Sequence, residues 1–301
     1  MTEDIGNILS KGFETFTKNL NITIPFIMNL ILSGIVLLMA FTAFAAVFIM
    51  PAFSPGELDT ASISIEQMID IFSSVFIENL WILVLGVIIL ILIITFVQSY
   101  FTAGAIGMSK SAMKNGDTDI GDMFSYGRKH VIDLFFLKIL LGLITFAGIV
   151  FLVPGILSID DFDILISNPQ MVAGSAVLLF AGFLAWMLYT VAISLVLAFA
   201  EYALVVDKLD PIESIEKGFY KFMENKLDVF LLWLVILAIS IFLGIIGEAV
   251  GVAEVTTIIW GFINFLLSII IIPALETIWW TRLYMDKTRE ELYKPEKLIN
   301  Y

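Results

Sequence analysis

Three ionisable side chains fall within or beside long apolar stretches of this sequence, and their types could do chemistry. Lys138, Glu201 and Glu276 each lie about one to two helical turns from a cluster of lysine and arginine residues, on its apolar side. An ionisable group inside a membrane is costly unless it is paired or hydrated, so such groups mark candidate functional sites. Gln98 and Asn29 lie in two further apolar stretches and could add hydrogen bonds.

Two interpretations of these residues are open. In the first, they form a polar pocket that faces the cytoplasm, with Lys138 paired to Glu201 or Glu276. In the second, the long side chain of Lys138 reaches the lipid headgroups, and both glutamates lie at the interface, hydrated or paired with basic neighbours. The sequence alone favours the second interpretation, because long side chains near the ends of transmembrane helices reach water at little cost.

The residue combinations that enzymes and metal sites need are missing. The chain has one histidine, His130, and no cysteine, which argues against thiolate or His-rich metal sites and excludes disulfides. It has no glycine-rich phosphate loop, no credible Ser/His/Asp set and no distinctive pair of carboxylates on one span. The net charge of −13 argues against binding to nucleic acid, which needs a basic face. We therefore expect no catalysis, no cofactor, no metal and no nucleic-acid partner.

The elements that position the candidate residues are predicted to be transmembrane helices. The 301-residue chain is 60% hydrophobic and 15% charged, whereas soluble domains are about 45–50% apolar and about 25% charged. Six stretches contain no charged residue, and each can span a bilayer as a helix, which takes about 20 residues. They lie between Lys18 and Glu57, Glu78 and Lys110, Lys138 and Asp160, Asp163 and Glu201, Asp228 and Glu248, and Glu254 and Glu276. The sequence thus predicts an all-α bundle of six transmembrane helices.

The distribution of charge predicts how this bundle is oriented. With six spans, all 16 Lys and Arg residues fall on one side of the membrane, and the segments on the other side carry only acidic charges. Because basic residues are retained on the inner side, both termini are expected in the cytoplasm. We expect a multi-pass protein of the cell membrane whose partners are membrane lipids.

A short motif recurs along the chain. Residues 11–19 and 217–225 share Lys, Gly, Phe, Phe and Asn, five of nine positions, at an offset of 206. A fainter copy at residues 120–127 aligns with residues 5–12 at an offset of 115 and shares Ile, Gly, Ser and Gly. Each copy has the spacing of an amphipathic helix and precedes a long apolar run. We expect one membrane domain of three repeats, each a cytoplasmic surface helix followed by two spans, at about residues 1–109, 110–206 and 207–285, with a tail at 286–301.

Several local expectations accompany this architecture. The surface helices either contact lipid or brace each helix pair as a structural collar, and the nearly balanced charge of the third favours the collar. A further short helix is expected near residues 64–76, on the opposite side of the membrane. Pro273 predicts a kink in the last span. The second span carries small residues four apart, which predict a close packing surface: Ser99, Ala103, Gly107 and Ser111.

One connection between two spans carries a resemblance to a known family. Glu201 is followed by Asp210-Pro211-Ile212-Glu213-Ser214-Ile215-Glu216-Lys217-Gly218-Phe219. The pattern resembles uncharacterised six-span prokaryotic membrane proteins, many of them archaeal, that are similar to the membrane domain of some glycerophosphodiester phosphodiesterases. The resemblance covers about residues 90–240 and implies a membrane module. The phosphodiesterase catalytic domain has no counterpart, because the sequence has no soluble segment of that size, so no catalytic residue is carried over.

Two functions agree with these observations. The first is a non-catalytic membrane scaffold or lipid-associated module. The alternative is a transporter or channel for a small solute or a lipid, with a cytoplasm-facing site at Lys138, Glu201 and Glu276. A transporter predicts a hydrated cavity that reaches these residues and helices broken near the middle of the membrane.

Overall fold

A computed structural model describes residues 3–49, 79–159, 173–250, 254–290 and 292. Within these residues the ordered elements are helices, and no strand occurs. The α-helices are α1 (Ile5–Lys18), α2 (Ile24–Phe44), α3 (Leu80–Asn115), α4 (Ile120–Ala147), α5 (Val153–Leu157), α6 (Ala173–Val196), α7 (Ala200–Asp207), α8 (Pro211–Glu224), α9 (Lys226–Val250), α10 (Glu254–Leu266) and α11 (Ile272–Lys287). The predicted all-α fold is confirmed. The short helix expected near residues 64–76 lies outside the described residues.

Six helical stretches of the described chain are long and apolar enough to cross a membrane. They are Leu20–Phe48, Leu80–Asn115, Ile120–Leu157, Gly174–Asp207, Lys226–Gly247 and Thr257–Lys287, here called spans one to six. They overlap the six charge-free stretches of the sequence, so the predicted number of spans is confirmed. The protein therefore has the architecture of a multi-pass membrane protein.

The second copy of the motif does not form a separate surface helix, and that part of the prediction is wrong. It forms the first turns of α4, which continues from Ile120 into span three. The helix begins at Asp119, whose carboxylate accepts a hydrogen bond from the Asp122 N–H at 2.9 Å and forms a capping box with that residue. The chain has no proline or glycine between Gly127 and Gly142, so nothing in it ends the helix before the membrane.

The buried core lies at one end of the bundle. This end contains α1, the C-terminal part of α3, the first turns of α4, α7, α8, the start of α9 and the C-terminal part of α11. Apart from Lys138, it holds the lysines and arginines of the described chain, and we call it the basic end. Its fully buried side chains include Ile8, Met123, Leu204 and Tyr284. In the most apolar stretch of 18 residues in each span, by contrast, no more than 11% of the residues are buried inside the protein.

Three glycines bring helices close together at the basic end. A Cβ atom at Gly12 of α1 would lie 2.4 Å from Cδ1 of Trp279 in α11. A Cβ at Gly127 of α4 would lie 2.9 Å from a backbone oxygen of α3, and one at Gly218 would lie 2.8 Å from the backbone nitrogen of Ala200 in α7. Real Cβ atoms essentially never come this close to other atoms. Each helix pair therefore packs at a distance that glycine alone permits.

The small residues predicted to form a packing surface on α3 are buried. Ser99 and Ala103 are fully buried, and Ser111 is 7% exposed. A Cβ at Gly107 would lie 2.1 Å from Cγ of Tyr126, so this part of α3 packs directly against the first turns of α4. The contact explains how two helices of adjacent spans approach closely where the core is densest.

The spans contact one another in chain order. Helix α2 contacts α3, α3 contacts α4, and α4 contacts α6. Helix α6 in turn contacts α9, α9 contacts α10, and a turn of span six at Leu267–Ile271 returns to α2. The described spans are thus arranged as a ring, closed at the basic end by the packed core.

Candidate functional site

The structure brings Lys138 and Glu201 together from spans three and four. Nζ of Lys138 lies 3.4 Å from Oε1 of Glu201 and donates a hydrogen bond to Oγ1 of Thr102, at 3.3 Å. The two charged side chains are 19% and 27% exposed. Lys138 is therefore held between α3 and α7. Its pairing with Glu201 is the arrangement that the first of the two interpretations expects.

Thr102 was not among the candidate residues of the sequence, although a signal for it exists. Thr95, Gln98 and Thr102 recur along α3 at spacings of three and four residues, which places them on one face of the helix. Gln98 is exposed and lies one turn from Thr102 on this face. A polar stripe on an otherwise apolar span could thus have indicated the side of α3 that meets Lys138.

Glu276 lies on α11, close to the contact between α11 and α7. It is half-buried, and the described residues give its carboxylate no hydrogen bond or ion pair. One turn later on the same face, Trp280 stacks against Tyr202 of α7, with the ring centroids 6.4 Å apart. Tyr202 directly follows Glu201, so Glu201 adjoins this aromatic contact in the chain and Glu276 lies one turn from it.

Asn29 is not connected to this group in the described structure. Its side-chain oxygen accepts a hydrogen bond from the Ser33 hydroxyl, at 3.3 Å, within α2. Of the residues proposed from the sequence, Lys138 and Glu201 are therefore in direct contact. Glu276 and Gln98 lie nearby on neighbouring helices.

Span six contains a π-helical turn one to two helical turns before Glu276. Helix α10 ends at Leu266, and a π-helical turn follows at Leu267–Ile271. Pro273 then occupies the beginning of α11, so the irregular turn lies beside the residue at which the sequence predicts a kink. Proline has no N–H to donate to the carbonyl four residues earlier, and π turns also displace carbonyls from the regular helical pattern. The π turn accommodates the proline within a continuous helix, and the N–H of Ile272 donates to the carbonyl of Leu267, five residues earlier.

A second polar network joins α1 to α11 at the basic end. The Glu3 carboxylate accepts hydrogen bonds from Nε and Nη2 of Arg282 at 2.8 and 2.9 Å, and another from Lys11. The Glu3 N–H donates to the Asp286 carboxylate, at 2.9 Å. Burial alone would raise the pKa of Glu3, but the hydrogen bonds from Arg282 and Lys11 outweigh it, and the pKa lies below its ordinary value. This network is an ionic attachment of the N-terminal helix.

Asp207 is the centre of a third network, which the sequence analysis did not identify. Its carboxylate accepts a hydrogen bond from the Tyr284 hydroxyl of α11 and pairs with Nζ of Lys217 in α8, at 2.7 Å. Next to it, the buried ammonium of Lys110 in α3 donates to the carbonyl of Val206. Four helices thus meet at the end of α7, which gives these polar groups a structural role.

The chain is similar to a protein of an archaeon. An uncharacterized protein of Archaeoglobus fulgidus is 24% identical over 304 residues, a match that covers 96% of this chain and 97% of the relative. No family model matches the chain, and no solved structure does. The comparisons support the expected likeness to uncharacterised archaeal proteins, and they give no support to a link with glycerophosphodiester phosphodiesterases.

Proposed function

We propose that this protein is a non-catalytic module of the cell membrane, a scaffold or lipid-associated unit, with its basic end in the cytoplasm. The observation that carries the proposal is the placement of α1 and α8. Each of these helices packs through a glycine, Gly12 or Gly218, against the end of a span. Each also presents apolar side chains to the outside of the protein. Helices with this distribution of side chains lie at membrane surfaces.

On each of these two helices, the exposed apolar side chains lie beside the face that packs against a span, and we call this strip of side chains the flank. On α1 and the turn after it, Phe13 is 53% and Leu20 is 58% exposed. On α8, Ile212, Phe219 and Met223 are 72%, 40% and 45% exposed. Because both helices are fixed to the ends of spans, these flanks would lie at the level of the headgroups and the first acyl carbons. Lipid at the flanks would remove apolar surface from water.

The contacts of the three glycines support the proposed division into three repeats. Gly12, Gly127 and Gly218 occupy equivalent positions under the sequence offsets of 206 and 115. Each packs against the second span of the unit before it, and the first unit packs against the third. We therefore propose a cyclic arrangement of units at residues 1–109, 110–206 and 207–285, in which α1, the first turns of α4 and α8 form a collar.

The proposed orientation can be tested with introduced cysteines, because the natural chain has none. Leu157, which is 77% exposed at the end opposite the basic end, is replaced by cysteine in one variant. Thr17, which is exposed on α1, is replaced in the other. A membrane-impermeant maleimide should label Leu157→Cys in intact cells, and Thr17→Cys only after the cells are opened. The reverse pattern would contradict the orientation.

Spin labels at single cysteines test the contact with lipid. Phe13→Cys and Phe219→Cys place a label on the two flanks, and Glu14→Cys and Glu213→Cys place one on the polar faces of the same helices. In liposomes, the labels at the phenylalanine positions should collide more often with oxygen than with a water-soluble nickel chelate. The labels at the glutamate positions should show the opposite preference. Equal accessibility at both kinds of position would rule out a lipid-facing flank.

A transporter or channel for a small solute or a lipid is the second candidate. It is favoured by the ion pair between Lys138 and Glu201, which joins spans three and four on the apolar side of the lysines and arginines of the basic end. The π turn before Pro273 favours it as well, because π turns inside helices occur frequently at functional sites.

A further inference from the structure

Consecutive spans form pairs, and we call the pairs one and two, three and four, and five and six the first, second and third hairpins. The second hairpin shows how closely two spans of this chain pack. A Cβ atom at Gly155 would lie 2.7 Å from the backbone nitrogen of Leu179, and one at Gly182 would lie 2.3 Å from the carbonyl oxygen of Phe151. Both contacts lie towards the end opposite the basic end. Close packing therefore extends into the apolar part of the bundle wherever two spans meet.

Span two, in the first hairpin, lacks such packing on most of its surface. Between residues 82 and 93 of α3, the less exposed side chains are Leu83 and Leu90, which lie two helical turns apart on one line. Nothing lies within 4 Å of a Cβ added to Gly86. The other side chains of this segment are 39% to 60% exposed: Ile82, Val84, Leu85, Val87, Ile88, Ile89, Ile91, Leu92 and Ile93.

The exposed positions surround most of the helix. At about 100° per residue, they cover about 260° of the circumference of α3. The remaining arc, which holds Leu83 and Leu90, is wide enough for one neighbouring helix, and α3 contacts α2 within the first hairpin. A helix packed between two hairpins would have two such arcs. This segment of span two is therefore not packed against the second hairpin.

The first and second hairpins do meet closer to the basic end. The rings of Phe96 in α3 and Phe135 in α4 are in contact, with their centroids 5.7 Å apart. From this point towards the basic end the side chains of α3 become buried, with Val97 9%, Ser99 0% and Phe101 6% exposed. The two hairpins are thus joined at Phe96 and separate beyond it. We call the space between residues 82–93 of α3 and the second hairpin the cleft.

The composition of α3 along the cleft indicates what fills it. Residues 82–93 are leucine, isoleucine, valine and glycine, without one polar side chain, and they belong to a stretch long and apolar enough to cross a membrane. Water is a poor occupant, because burying an aliphatic side chain away from water gains about 1.5–3 kcal/mol. The hydrocarbon chains of lipids lie at the same depth, carry no charge and are continuous with the surrounding bilayer.

We propose that hydrocarbon chains of membrane lipids, and neither protein nor water, fill the cleft between the first and second hairpins. Lipid is then a component of the bundle as well as its surroundings. The proposal deepens and rests on the proposed function of a lipid-associated module. The flanks of α1 and α8 lie at the basic end, whereas the cleft lies towards the other end. Spin labels at Phe13 and Phe219 therefore test the flanks without testing the cleft.

The first test places a nitroxide label on single cysteines along residues 82–93 of the full-length protein in liposomes. The matched pair is Ile88→Cys and Leu90→Cys, which lie about 3 Å apart along the helix axis and hence at similar depth. The label at Ile88 should collide several-fold more often with oxygen than the label at Leu90. Both labels should collide rarely with a water-soluble nickel chelate. Along the whole segment, oxygen accessibility should be low at Leu83 and Leu90 and high elsewhere.

Each outcome decides the proposal. Low oxygen accessibility on a second arc, on the side of the helix opposite Leu83 and Leu90, would show that protein covers this surface and would overturn the proposal. Frequent collisions of the Ile88 label with the nickel chelate would show a water-filled space. That result would overturn the proposal too, and it would favour the transporter. High oxygen accessibility with low nickel accessibility around the exposed arc supports lipid.

A second measurement identifies the occupant by its mass. Benzoylphenylalanine, which reacts with neighbouring C–H bonds on irradiation, is introduced at position 88 or at position 90, and mass spectrometry of peptides locates the products in liposomes. Position 88 should give an adduct with the mass of a lipid. Position 90, the control, should give a cross-link to a peptide of α2. A cross-link from position 88 to a peptide of this chain or of a second copy, or no product there, would refute the proposal.

Discussion

Replacement of Gly12 by alanine tests how α1 is attached to the rest of the protein. The new Cβ would lie 2.4 Å from Cδ1 and 2.8 Å from Nε1 of Trp279. The indole is 6% exposed, and its N–H donates to the Leu9 carbonyl, at 3.1 Å. The ring cannot move away from the methyl group without losing this hydrogen bond or entering its neighbours, so α1 should shift outwards.

The expected effect is the difference between two opposing contributions. Alanine improves the helix propensity of α1 by about 1 kcal/mol. Overpacking costs about 1–3 kcal/mol, and the weakened hydrogen bond costs a further ~0.5–1.5 kcal/mol. We expect a net loss of about 0.5–3.5 kcal/mol in the free energy of docking, which corresponds to hydrogen exchange about 2–400-fold faster in α1 if exchange follows undocking.

Gly6→Ala is the matched control on the same helix. A Cβ at Gly6 has Asp4 Oδ1 as its nearest neighbour, at 3.4 Å, which is an ordinary contact. This variant should therefore exchange at the wild-type rate or more slowly. The assay is hydrogen exchange with mass spectrometry on the full-length protein in detergent, with α9 as an internal reference. If the amides of α1 exchange equally fast in both variants, the close approach of Gly12 to Trp279 does not hold the helix.

Two further predictions concern charged groups. Because the pKa of Glu3 in the folded protein is below the ordinary 4.5, its stabilising contribution is complete above that value and is lost as the pH falls through the lowered pKa. The difference in Tm between the wild type and Glu3→Gln should therefore shrink below about pH 4.5, and a difference independent of pH would contradict this assignment. Lys138→Met should destabilise the protein by about 1–3 kcal/mol, less than the ~3–5 kcal/mol of a fully buried pair, because the two side chains are 19% and 27% exposed. In denaturation by sodium dodecyl sulfate, the double variant Lys138→Met/Glu201→Gln should be less destabilised than Lys138→Met alone. If the losses of the two single variants simply add up in the double variant, the two residues do not interact.

The number and type of the membrane helices could be predicted because the bilayer imposes them. A charge-free stretch of about 20 residues has few alternatives to a helix in lipid. The boundary between the second motif and span three could not be predicted by analogy with the first motif. After the first motif, Asn19 and a 3-10 turn at Leu20–Thr23 separate α1 from α2. After Gly127 no comparable interruption exists, and α4 continues into span three.

The sequence proposes candidate residues for a site but does not determine how they are arranged. The sequence identifies Lys138 and Glu201 as costly charges, and it leaves both pairing and headgroup contact open. The choice depends on which face of α3 meets α4, and this is set by close packing of Gly107 against Tyr126. The same packing places Thr102 beside Lys138. Asp207 was missed for a related reason, since its partners come from helices distant in the sequence, Tyr284 among them.

Helix α11 carries both the attachment of α1 and the candidate residue Glu276. Trp279 and Arg282 hold α1 through contacts between residues about 270–280 positions apart in the chain. Glu276 lies on the same helix, one turn before Trp280 and three residues after Pro273. Because the contacts that define the fold are concentrated at the basic end, the position of α11 is determined by its docking partners there and not by the loosely packed spans.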